Sequence, residues 1–255
     1  MTRACFLACL FFCTSAIALD HSHAAWDGLL KKHVVVLDGG KASRLRYAGM
    51  AADHAALKAY LKEISSVKEA EFARWPREQQ MAFLINAYNA FTVEKVLTRY
   101  PDLRSIWDFG KLFGNPFKDR FFVLLEKSSS LDGIEHETLR KRYRDPRVHY
   151  ALNCASVGCP MLREEAYVGA RLERQLEEQA ARFLSDRARN RLAGGRLEVS
   201  RIFDWYQEDF EPRATYFARY AKALADDAAG QALVASGQVP LVFLDYDWTL
   251  NDASR

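Results

Sequence analysis

Cysteine is scarce in this chain. Five occur in 255 residues, but Cys5, Cys9 and Cys13 fall in the first stretch, which leaves Cys154 and Cys159. A disulfide-rich scaffold is excluded by that count. Blocks of Lys or Arg are missing too. With 36 basic and 33 acidic residues the formal net charge is +3, so no electrostatic footprint for nucleic acid stands out. No internal repeat and no linker divides the chain. What is present is 49% hydrophobic and 27% charged, an ordinary globular composition in a length with ample core.

The first residues read as a targeting segment rather than as fold. Arg3 supplies a positive start, residues 4–19 are an apolar run, and Ala16-Ile17-Ala18 fits a small-x-small cleavage site. A secretory signal peptide over residues 1–18 is expected, with cleavage after Ala24 as the alternative. The run is short and wrongly flanked for a stable membrane span. Its removal leaves residues 25–255 as a single domain, periplasmic if the source is bacterial, or secreted. Cys154 and Cys159 are then the only thiols.

Hydrophobic periodicity supplies the architecture. Residues 26–34 suit a short opening helix, and Leu57, Tyr60, Leu61 and Ile64 recur at helical spacing over residues 53–64. From Pro76, placed as a first helical residue, to Arg99 the apolar positions wrap most of the circumference, which predicts a buried central helix stopped by Pro101. Asn86 and Asn89 lie inside it, three apart and on one face. Amides there either tie down a neighbouring loop or reach a substrate, because buried amides need partners. Residues 120–126 suit a strand and Ser128-Ser129-Ser130 a cap. Residues 131–142 suit a helix carrying Asp132, Glu135 and His136, and residues 149–152 a short strand. Gly194-Gly195 marks a hairpin, residues 202–210 are aromatic and acidic, and residues 240–248 suit a final strand. The sum is an α+β domain, a buried central helix packed on a small mixed or antiparallel sheet.

The chemistry concentrates in His149-Tyr-Ala-Leu-Asn-Cys-Ala-Ser-Val-Gly-Cys-Pro160. A cysteine hydrolase needs a thiolate, a base and a group that orients the base. Cys154 is the nucleophile candidate, since small residues follow it. In a regular strand His149 and Cys154 would face opposite ways, which leaves His136 as the base. Asp132, four residues earlier on the same helix face, would orient it. Glu135, about 100° round the helix, is the weaker orienter and a possible substrate contact. Asn86, Asn89, Asn153 and His149 complete the candidate site as substrate-binding groups, and no cofactor is implied. The expected partner is a small-molecule or peptide substrate.

These motifs resemble the family catalogued as domain of unknown function 547. Phe83-Leu-Ile-Asn-Ala-Tyr-Asn-Ala90, Leu131-Asp-Gly-Ile-Glu-His136 with Leu139-Arg140, and Asp145-Pro-Arg-Val-His-Tyr-Ala-Leu-Asn-Cys154 with Gly158-Cys-Pro160 match its three motifs in order. The resemblance spans about Met81 to Pro160 and extends toward Phe203–Trp205. Some members look like distant relatives of papain-like cysteine hydrolases, which implies thiol-dependent attack on an amide or ester. In papain itself a cysteine begins the central helix, whereas here that helix carries Asn86 and Asn89. Two other readings use the same atoms. One is a non-enzymatic exported binding or scaffold domain with a Cys154–Cys159 disulfide. The other is a four-ligand zinc site from His136, His149, Cys154 and Cys159, whose spacing matches no standard zinc motif.

Overall fold

The central helix runs Arg77–Leu97, and every residue from Gln80 to Val96 is buried. It is apolar almost all round, and such a helix is stable only when other elements cover it on every side. Pro76 takes the position just before the first helical residue rather than the first turn itself. The structure, a computed structural model, describes residues 19–110 and 114–255. The signal-peptide expectation therefore concerns residues outside those described, as does part of the loop near residue 112.

The cover comes from several directions. The helix His54–Ser65 lays Leu57, Tyr60, Leu61 and Ile64 against the core, at the spacing the sequence shows. Phe72 and Trp75 pack on Phe83, with ring centroids 5.6 and 5.3 Å away. Phe91 stacks on Phe122 of a small antiparallel hairpin, Phe122–Leu124 with Lys127–Ser129. Phe83 is fully buried, so Phe83→Ala would cost about 3–5 kcal/mol.

Besides that hairpin, Val34–Leu37 pairs antiparallel with Ala42–Leu45. A third sheet is mixed. Arg191–Ala193 and Arg196–Val199 form the expected hairpin, and Leu241–Phe243 adds parallel to Arg196–Val199. A second apolar cluster of Tyr150, Phe183, Phe203, Phe210 and Phe217 backs this sheet. The outcome is one α+β domain. No helix among the described residues is long and apolar enough to cross a membrane.

Two local expectations fail at the site itself. Val148–Ala151 is a short helix, not a strand, so the alternation that separates His149 from Cys154 does not exist. Residues 131–142 are helical, but Gly133–Tyr143 is wound as a π-helix. Ser130 Oγ accepts the Gly133 N–H at 3.0 Å, and Thr138 Oγ1 donates back five residues to Gly133 O at 3.0 Å. Wide turns of this kind are uncommon and recur at functional sites.

Candidate functional site

The cysteine loop is fixed from behind by amides. Asn89 Nδ2 donates to Ala151 O at 2.9 Å, and its Oδ1 accepts the Asn153 N–H at 2.8 Å. Asn153 in turn donates to Pro160 O at 2.9 Å and accepts from Ala155 N and Asn251 Nδ2, each at 3.1 Å. Asn86 makes the same two-way clamp on Tyr167, at 2.8 and 3.0 Å. All three amides are buried, none lines the cleft described below, and both ends of each meet the protein's own groups. They act as anchors for loops, which leaves no free group on them for substrate.

The front of the loop is held by the C-terminal segment. Val157 N donates to Thr249 O and Gly158 N to Asp247 O, both at 2.8 Å. A Cβ at Gly158 would lie 3.0 Å from the Asp247 backbone, so this approach requires glycine. Ala155 sits in the left-handed region at φ 65°, a conformation costing about 1–2 kcal/mol for a residue with a Cβ. The amide bonds around it hold it there.

Cys154 and Cys159 are joined as a disulfide, with Cα atoms 6.1 Å apart. The Cys154 N–H points at Cys159 Sγ at 2.8 Å, and the hydroxyls of Ser156 and Tyr246 lie 3.0 and 3.3 Å from Cys154 Sγ. Both cysteines line a cleft of about 490 Å³ that also receives Asp132, Glu135, His136 and His149. The sequence reading thus gathers six of its residues into one cavity, but their contacts differ from the expected ones. Neither histidine is hydrogen-bonded to Cys154.

His136 Nδ1 lies 2.9 Å from Arg140 Nη1. Guanidinium only donates, so Nδ1 must accept and the neutral ring carries its proton on Nε2. That nitrogen faces Asp132 Oδ1 across 3.8 Å. In this arrangement Nδ1 of His136 is engaged by Arg140, and the groups beside Cys154 Sγ are the hydroxyls of Ser156 and Tyr246 rather than the expected base. The four-residue spacing that suggested Asp132 as its orienter also brings Arg140 onto His136, and the cation wins the shorter contact.

His149 is the better-supported ionic centre. It is buried, with Nε2 2.6 Å from Asp209 Oδ2 and Nδ1 3.7 Å from Glu135 Oε1, too long for a hydrogen bond. Tyr206 stacks on the ring at 4.1 Å, and Arg140 also pairs with Asp209. Burial disfavours the imidazolium, but the hydrogen bond to Asp209 and the negative charge of Glu135 outweigh it and the His149 pKa is raised. For Asp209 and Glu135 burial works against the charge, yet His149 prevails and both carboxyls stay below their usual range. Nδ1 is a buried polar atom with no hydrogen-bond partner.

Among the described residues no group of three or more His, Cys, Asp or Glu is arranged to hold a metal ion. The four-ligand zinc reading also fails on its own members, because the two sulfurs are bonded to each other and His149 Nε2 is engaged by Asp209.

The sequence reading missed Arg140 and Asp209 as partners of the histidines, and the aromatic wall. Trp107, Trp205, Tyr206, Tyr246 and Trp248 all line the cleft. The signal for part of this was the aromatic and acidic run at residues 202–210, which has no reason to combine those residue types unless it faces a polar cavity.

No curated protein and no solved structure matches the chain. Residues 72–184 match the model of the family described as "Protein of unknown function, DUF547". The matched segment contains the central helix, the π-helix and the cysteine loop, and stops before Trp205, Asp209, Tyr246 and Trp248. That match, and the three motifs that build the rear and floor of the cleft, tie residues 72–184 to the DUF547 family.

Proposed function

We propose that the protein is an exported ligand-binding domain whose cleft, floored by the Cys154–Cys159 disulfide and walled by aromatic rings, takes a small organic molecule or a short peptide segment. The observation that carries this reading is the pairing of the two sulfurs on the floor of an open cleft of about 490 Å³. A bonded sulfur is no nucleophile, and the cleft keeps its shape and its walls with the pair closed. The expected export fits the same reading, because a disulfide persists in an oxidising compartment such as the periplasm or the cell exterior.

A second reading is favoured by one specific observation. Both sulfurs open onto the same cleft as His136, His149, Asp132 and Glu135. Reduction would expose Cys154 to a bound amide or ester, and the chain would then be a thiol-dependent hydrolase or acyl transferase. Its proton acceptor would have to come from a rearranged His136 or His149.

Counting free thiols in protein exported to its own compartment separates the two. The binding reading expects none before reduction and two after it, and no ester hydrolysis by the oxidised protein. Two free thiols in protein as exported, with Cys154 alkylated by iodoacetamide well below pH 8.5 and ester hydrolysis lost in Cys154→Ser, would overturn it in favour of the enzyme.

A further inference from the structure

The aromatic wall carries the inference further. Three of the five tryptophans, Trp107, Trp205 and Trp248, line this one cleft. Trp107 and Trp205 are 39% and 45% exposed, an unusual allowance for the largest apolar side chain. Trp205 stacks on Trp248 with centroids 5.6 Å apart, and Trp107 meets Trp248 near a right angle at 5.2 Å. Two ring planes at right angles, sharing Trp248, make the corner of a cage.

Several other aromatic faces, that of Tyr206 in this same cleft included, already carry a cation. Arg140 lies over Tyr206, Lys95 over Phe109 and Phe121, Arg77 over Tyr143 and Arg189 over Phe183. Among the described residues no Lys or Arg covers Trp107, Trp205 or Trp248, the ring type with the strongest quadrupole. The charge of the cleft agrees. Among the described residues Asp132 and Glu135 line it and no Lys or Arg does, while His149, whose pKa is raised, faces Asp209 and Glu135, and Arg140 pairs with Asp209 outside the lining. Such a lining repels anions and attracts a positive group.

We propose that the tryptophan corner binds an organic ammonium group, with Asp132 supplying the opposite charge. This inference rests on the cleft being a binding site but not on any thiol chemistry. It also divides the specificity across the edge of the family match, since Trp107 and Asp132 lie within residues 72–184 and Trp205 and Trp248 beyond them.

The test uses the whole exported protein with its disulfide intact and choline as the probe, followed by tryptophan fluorescence and calorimetry. The neutral isostere 3,3-dimethylbutan-1-ol and the sugar glucose are titrated alongside. Choline is expected to saturate the fluorescence change and to bind about tenfold more tightly than the isostere, which isolates the cation–π contribution. Binding should weaken with salt, drop several-fold in Asp132→Asn, fall partly in Trp205→Phe and vanish in Trp205→Ala, with unchanged circular dichroism throughout. Equal binding of choline and its isostere, tighter binding of glucose, or no saturation by choline would each overturn the ammonium assignment. The thiol count decides the binding-domain reading separately, so either can fail while the other stands.

Discussion

The two sides of the cysteine loop follow opposite rules. Behind it, Asn86, Asn89 and Asn153 are buried and every amide end meets a backbone group or another amide. In front of it, His149 Nδ1 has no partner, His136 meets Asp132 only at 3.8 Å, and Trp107 and Trp205 are partly exposed. Both sides belong to the same few residues of sequence. Polar groups that are fully satisfied within the protein specify structure, and those left short of partners are available to something else. Amide-rich motifs and chemically reactive motifs look alike in a sequence, and only the count of satisfied bonds separates them.

That contrast can be broken first at the rear. Asn89→Leu would strand Ala151 O and the Asn153 N–H together, at a cost of about 2–5 kcal/mol of stability. Denaturant unfolding measures it, and a loss under about 1 kcal/mol would mean that the clamp is replaceable. The next largest effect is reduction of the disulfide. The loop it closes is short, so the chain-entropy argument gives about 2 kcal/mol. Unfolding with and without a reductant checks this, and the far-ultraviolet spectrum should not change.

Titration probes the front. His149 has a raised pKa, so its stabilising charge is fully present below the ordinary histidine range and is lost as pH climbs through the raised value. Asp209 and Glu135 are depressed, so their contribution is complete above the ordinary carboxylate range and disappears as pH falls through their folded values. The melting temperature should therefore form a plateau between those limits, and His149→Gln should remove the decline on its alkaline side. A decline that persists in His149→Gln would assign it to another group. The smallest effect belongs to the exposed wall. Trp205→Ala should change stability by no more than about 0.5 kcal/mol, although the ligand test above expects it to abolish binding. A large destabilisation would return Trp205 to the structural side of the comparison.

Much of the fold was legible because hydrophobic period is a strong local signal. The central helix, the helix over residues 54–65 and the buried pair of asparagines follow from it directly, and the hairpin follows from the Gly194-Gly195 turn. The site was legible only as a set of residues. The sequence reads His149 as part of a strand because four residues of apolar alternation also fit one turn of helix. It pairs His136 with Cys154 because no sequence spacing says that Arg140, one turn on, reaches its ring first. Asp209 lies 60 residues from the histidine it holds, and Tyr246 lies 92 from the sulfur it approaches. Contacts of that range leave no trace in local pattern.

The same long reach bears on how the site comes into being. Tyr47 donates to Asn251 Oδ1 across 204 residues of sequence, Leu45 bonds the backbone of Asn251 and Ala253, and Asn251 bonds Asn153. The chain is drawn into a near-closed circuit whose clasp lies beside the cysteine loop. Closing so large a circuit is slow compared with forming helices. The cleft therefore depends on both ends of the chain and is not a portable cassette. A fragment cut to residues 72–184 would keep both histidines and both thiols, but it would lack Asp209, the clasp and two of the three tryptophans.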